Sequence, residues 1–83
     1  MAFAKLWGPD EDQILAVLDV DSEQEPNITI YFDANHPDFG VCNYKIKFKD
    51  SDSGIMSAQK AFNELTEDVA RKSVEKIRKS IIE

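Results

Sequence analysis

Val41-Cys42-Asn43-Tyr44-Lys45-Ile46-Lys47-Phe48-Lys49 alternates residue by residue. Cys42, Tyr44, Ile46 and Phe48 fall on one side of an extended chain; Asn43, Lys45, Lys47 and Lys49 fall on the other. A period of two with one apolar and one charged face is the pattern of a strand in an antiparallel sheet covered on one side only. The three lysines also discourage pairing with a further strand.

Upstream, Asn35-His36-Pro37-Asp38-Phe39-Gly40 is a turn, and Asn27–Asp33 alternates again. There Ile28, Ile30 and Phe32 oppose Thr29, Tyr31 and Asp33. Before that lies the polar, Pro-bearing turn 21–26, and before it the apolar run Ile14–Leu18. That run is read as a strand over Gln13–Val20, because an antiparallel hairpin uses two such runs with a short connection. Residues 1–12 are read as an apolar arm ending in Gly8-Pro9-Asp10-Glu11-Asp12.

Downstream the period changes. Asp50-Ser51-Asp52-Ser53-Gly54 is rich in helix N-caps. Ile55, Ala58, Phe62, Leu65 and Val69 then recur at spacings of three and four, and Ala70, Val74, Ile77 and Ile81 continue on a stripe shifted by one residue. Thr66-Glu67-Asp68, between the stripes, is a helix start. The expected fold is therefore α+β. A three-stranded antiparallel meander over 13–49 is followed by a helical region over 54–82, either two helices or one kinked near Thr66, packed on one sheet face. The expected core is Ile28, Ile30, Phe32, Tyr44, Ile46, Phe48, Phe62, Leu65, Val69, Val74 and Ile77.

Residues 1–83 fit one small α+β domain. A chain this short buries only about 60–65 % of its unfolded surface, and a single core of this size supplies roughly 3–5 kcal/mol. Small domains make up the shortfall with disulfides, metals or oligomerisation. One cysteine excludes an internal disulfide. One histidine with one cysteine cannot supply the four Cys/His ligands of a structural zinc site. Oligomerisation remains, and a homodimer is expected. No apolar run approaches the ~18 residues of a membrane span, and no signal-peptide core is present, so the expected location is the cytoplasm.

The sequence is split by charge. Residues 1–40 carry nine acids and one base, Lys5; residues 41–83 carry nine bases and seven acids. The halves are −8 and +2, within a net charge of −6. The split predicts a molecule with an acidic end and a mildly basic end. The balance argues against non-specific nucleic-acid binding and against anionic membranes. It points to a protein partner with a basic patch.

Catalytic and metal signals fail on spacing. Neither the set beginning at Asp19 nor the one beginning at Asp50 completes a calcium loop, because both lack the glutamate that such a loop needs at position twelve. Their acids are turn and cap formers. Cys42 shares a face with Tyr44 and Ile46 and is read as a core residue, so it makes no thiol–imidazole pair with His36. No metal or cofactor is expected.

Two binding surfaces are candidates. Phe3, Trp7, Asp10, Glu11, Asp12, Asp21, Glu23 and Tyr31 would form an acidic, aromatic-bearing protein interface, since tryptophan is enriched at hot spots. Alternatively, Lys45, Lys47 and Lys49, with Arg71 and Arg78, would hold an anionic ligand or nucleotide at an oligomer interface. In size, acidity and lack of a catalytic constellation the chain resembles the small inhibitors that phages encode against host defences. The resemblance implies a non-enzymatic inhibitor that engages a basic surface of a larger protein.

Overall fold

Four strands in sequence order form one antiparallel sheet: β1 (Ala2–Trp7), β2 (Ile14–Asp19), β3 (Asn27–His36) and β4 (Phe39–Lys47). Two helices follow, α1 (Asp52–Glu64) and α2 (Glu67–Ile82). The computed structural model describes residues 2–21 and 23–82. Met1 of the expected arm, Ser22 of the expected turn and Glu83 lie outside them.

The α+β class and the antiparallel order agree with the sequence reading, but the sheet has four strands and not three. Residues 2–7 are an edge strand, paired from Ala2 opposite Asp19 to Trp7 opposite Ile14. Its own alternation is weak because two of its six residues are alanine. The ladder to β2 defines it.

Register sets the two faces. Ile14, Ala16 and Leu18 stand opposite Phe32, Ile30 and Ile28, which in turn oppose Cys42, Tyr44 and Ile46. This is the face the helices cover. Ile14, Ala16, Leu18, Ile28, Ile30 and Phe32 meet Ala58 and Phe62 of α1 and Ala70 and Val74 of α2 in one core. Trp7, Tyr44, Phe48, Leu65 and Ile77 pack around its margin. Two residues expected in the core lie outside it. Ile46 sits on the outermost strand and is exposed, as is Val69. The chain breaks at Leu65 and Thr66, so the stripe through Val69 does not continue into α2, and the shifted stripe through Ala70 and Val74 faces inward alone.

The break makes two helices, not one kinked helix. Leu65 is extended (φ −69°, ψ 125°), and Thr66 Oγ1 accepts from Val69 N at 3.4 Å to begin α2. α1 starts three residues before Ile55, because Ser51 is its N-cap and accepts from Gly54 N at 3.1 Å.

The C-terminus of α1 has no basic residue in its last turn. Lys5 of β1 fills that role. Its Nζ donates to Phe62 O at 2.6 Å and Leu65 O at 3.2 Å, and lies 4.8 Å from the centre of the Phe62 ring. A cation on the negative end of a helix stabilises it; here Lys5 gives Leu65 O a donor and joins the Leu65 N–H on Phe62 O. Lys5→Met is expected to cost about 1–2 kcal/mol, read as a lower thermal midpoint, with Lys5→Arg recovering part of the loss.

Candidate functional site

The charge split along the sequence does not become a split in space. Antiparallel pairing sets Lys45 opposite Thr29 and Lys47 opposite Asn27. The lysines thereby return to the end of the sheet that holds Asp19, Asp21, Glu23 and Glu25. Helix α2 likewise returns Arg71 and Arg78 to Asp12. The expectation of one acidic and one basic end is corrected by this topology. The other end, where the β1–β2 loop meets the β3–β4 hairpin, holds Asp10, Glu11 and Asp33 beside Asp12.

Asp12 is held inside that loop. Pro9 O accepts from Asp12 N at 2.9 Å. Gly8 turns the chain with φ +100°, at a point where a Cβ would overlap Asp12 O and the Arg71 guanidinium. Arg71 Nη1 donates to Asp12 Oδ2 at 2.9 Å, and Arg78 Nη2 donates to Asp12 Oδ1 at 2.9 Å. Arg78 is 7 % exposed. It also donates from Nε and Nη2 to Asp33 O, at 3.0 and 2.7 Å, and from Nη1 to Glu75 Oε1 at 2.6 Å. Its guanidinium lies 6.0 Å from the Phe32 ring centre. One arginine thus joins α2, β3 and the β1–β2 loop. Arg71 adds Glu67 Oε2 at 3.1 Å.

The hydrogen bond from Arg78 is the largest effect on the Asp12 carboxyl; burial, next in size, opposes it, and the charges of Arg78 and Arg71 with the Arg71 hydrogen bond bring the balance below the ordinary value of 3.8. A carboxylate with a depressed folded-state pKa stabilises the fold above its unfolded pKa and loses that contribution as pH falls through the folded one. Asp12→Asn is therefore expected to be less stable than the wild type near neutral pH. The gap should narrow below about pH 4, as measured by urea unfolding at both values.

The sequence reading places Asp12 on one surface and Arg71 and Arg78 on another. In the fold they bind each other, and the structure does not bring Arg71 or Arg78 to the lysine row. Lys45 and Lys47 instead line a separate depression of about 320 Å³ with Gln24, Glu25 and Asn27. Lys49 follows the end of β4.

The acidic candidates are also divided. Asp21 and Glu23 belong to the β2–β3 turn, where Asp21 Oδ1 accepts from Glu23 N at 3.1 Å. The six residues of β2 separate them from Asp10 and Glu11 by about 17 Å. Phe3 and Trp7 lie on the helix-covered side of β1, opposite Leu18 and Ile14; Trp7 packs on the core, and Phe3 stays half exposed at the sheet edge. Cys42 Sγ finds Gly40 O at 3.9 Å, while His36 Nδ1 accepts from Asp38 N at 3.1 Å and its ring meets Phe39. Among the described residues, no group of three or more His, Cys, Asp or Glu side chains is placed to hold a metal. No helix among them is long and apolar enough to cross a membrane.

The surface that remains is the sheet face turned away from the helices. Leu6, Leu15, Tyr31 and Asn43 form one row across all four strands, and Ala4, Val17, Thr29 and Lys45 form the next. Val41 and Phe39 extend the first row along β4 by its alternation. Val41 is 73 % exposed, Leu6 59 %, Phe39 51 % and Tyr31 38 %. Leu6, Leu15, Tyr31 and Val41 floor a shallow depression of about 280 Å³ whose rim carries Asp10, Glu11 and Asp33.

Of the sequence candidates, Asp10, Glu11 and Tyr31 meet here. Leu6, Leu15, Val41, Phe39 and Asp33 were missed. Their signal was the apolar phase opposite the core: Leu15 and Val17 lie between Ile14, Ala16 and Leu18, and a strand with a fully wet outer face would carry polar residues there. Comparison with protein-family models, with curated proteins and with solved structures finds no match for this chain.

Proposed function

We propose that the protein is a non-enzymatic interaction module that holds a basic segment of a larger protein against its open sheet face. The supporting observation is the acid-rimmed apolar depression. Leu6, Leu15, Tyr31 and Val41 offer an apolar floor, and Asp10, Glu11 and Asp33 offer carboxylates at its border. Arginine and lysine match both parts, because their stems lie along apolar surface while their heads seek carboxylates. Tyrosine in such a setting is a frequent anchor of binding energy. By covering a basic surface of its partner, the module acts as an inhibitor of whatever that surface otherwise binds. Unmatched acids at the rim speed encounter with a basic partner and make it sensitive to salt.

The test is an NMR titration of isotope-labelled protein with a short peptide of alternating arginine and leucine, and with a glutamate–leucine control. Shifts centred on Leu6, Leu15, Tyr31 and Val41 are expected. They should weaken with salt and in a variant carrying Asp10→Asn and Glu11→Gln. Shifts centred on the Asp21–Glu23 turn, or equal shifts with the control peptide, would refute the assignment. Asp12 is left unchanged in the variant because its loss disturbs the fold.

A further inference from the structure

We infer that the outer edge of β1 is the contact by which two copies of this chain pair, joining their sheets into one of eight strands. A sheet edge carries a row of unpaired N–H and C=O groups, and proteins that remain single guard their edges with charges, proline or bulges. The two edges of this sheet differ in that respect. β4 carries exposed Lys45 and Lys47, and the β3–β4 ladder shifts register between Asp33 and His36. β1 has no proline, and its only charge, Lys5, is turned onto the carbonyls at the end of α1. Among the described residues, no backbone hydrogen bond reaches the outer side of β1 beyond its ladder to β2. Phe3 stands at that edge, 48 % exposed.

The occupant that fits is a second β1, antiparallel about a two-fold axis. Residues directly opposite in such a pair point to the same face, so only every second register is allowed. Centring on Lys5 would place two like charges opposite each other, which is unfavourable. Centring on Ala4 sets Ala4 against its own copy and Phe3 against the aliphatic stem of the copy's Lys5, whose ammonium stays on the carbonyls at the end of its own α1. It also leaves the acid-rimmed depressions near Asp10 and Glu11 away from the axis, so the net charge of −6 on each chain does not concentrate at the contact. The small core expected of such a short chain gains from this added sheet.

Sedimentation velocity of the full chain from about 1 µM to about 500 µM is expected to give a species of twice the 9.4 kDa chain mass. Ala4→Lys, at an exposed position off the core, should raise the dissociation constant by about tenfold or more while the circular dichroism spectrum is kept. Ala4→Cys in a Cys42→Ala background should oxidise to a covalent dimer, because opposed residues on antiparallel strands lie within disulfide reach. A monomer throughout the range overturns the inference. So does a dimer that folded Ala4→Lys leaves unchanged, or a complex with an unrelated chain in place of the second copy.

Discussion

Replacement of Arg78 by alanine is expected to remove most of the chain's stability near neutral pH. The substitution removes both donors to Asp33 O, one of the two cations on Asp12 and the partner of Glu75 in a single step. Asp33 O then loses both guanidinium donors, and a gap opens beside Phe32. Asp12 keeps Arg71, so the cost lies chiefly in the lost donors of Asp33 O and the lost packing on Phe32, together about 2–3 kcal/mol, against a total stability of roughly 3–5 kcal/mol for a core of this size. Arg78→Met separates the causes. It keeps the aliphatic volume over Phe32 but none of the donors, and should fall nearly as far as alanine. Arg78→Lys keeps the charge but cannot span three acceptors in different directions, and should lie between the wild type and the methionine variant. Urea unfolding followed by circular dichroism reads all three. A loss below about 1 kcal/mol for alanine would place the cluster with ordinary surface pairs.

The second large effect has a sign opposite to that expected from helix propensity. Gly54 lies in the first turn of α1, where alanine would ordinarily be better by about 1 kcal/mol. Here a Cβ would overlap the backbone carbonyl oxygen of Lys49, in the segment that leads from β4 into the helix. Backbone cannot swing aside as a flexible side chain can. Gly54→Ala should therefore destabilise by about 2 kcal/mol or more, visible as a lower urea midpoint. The Ser51 cap is weakened as well, because its hydroxyl receives the Gly54 N–H. A neutral or stabilising result would mean that the turn before α1 yields at little cost.

Much of the architecture was legible. The alternation in Asn27–Asp33 and Val41–Lys49 assigned both strands and the face each buries. The change of period at Ile55 marked the helical region, and the capping residues around Thr66 marked where it is interrupted, leaving a kink and a full break as alternatives that the extended Leu65 decides. What escaped depended on pairing across long distances. Ala2–Trp7 reads as an arm because a short strand with two alanines has little pattern of its own. The stripe through Ala70 and Val74 was legible, but the exclusion of Val69 from the core follows from how the break turns α2, which spacing alone does not specify. For the site, the sequence sorted residues by charge and so set Asp12 apart from Arg71 and Arg78. Those residues are joined across 59 and 66 positions, and no local rule reveals such a meeting. Tyr31, Asp10 and Glu11 were found by type, but the depression between them needed the ladder that lays Leu6 beside Leu15.

The bond between Asp12 and Arg78 also orders the events of folding. Each strand of the meander pairs with its neighbour in sequence, so hairpins close over short loops at little entropic cost. The β1–β2 loop, in contrast, is held in place by a residue near the far end of the chain. That closure is expected late, since contacts of large sequence separation carry the larger entropic cost of loop closure. Until α2 docks, the apolar face of the sheet stays wet on the side that the helix later covers. In the native state the reverse path is the easiest opening: release of α2 frees Asp12, loosens the loop and uncovers Phe32 together, as one cooperative unit. Amide hydrogens of α2 and of the 8–13 loop should then exchange at a common rate, faster than those in the β2–β3 ladder.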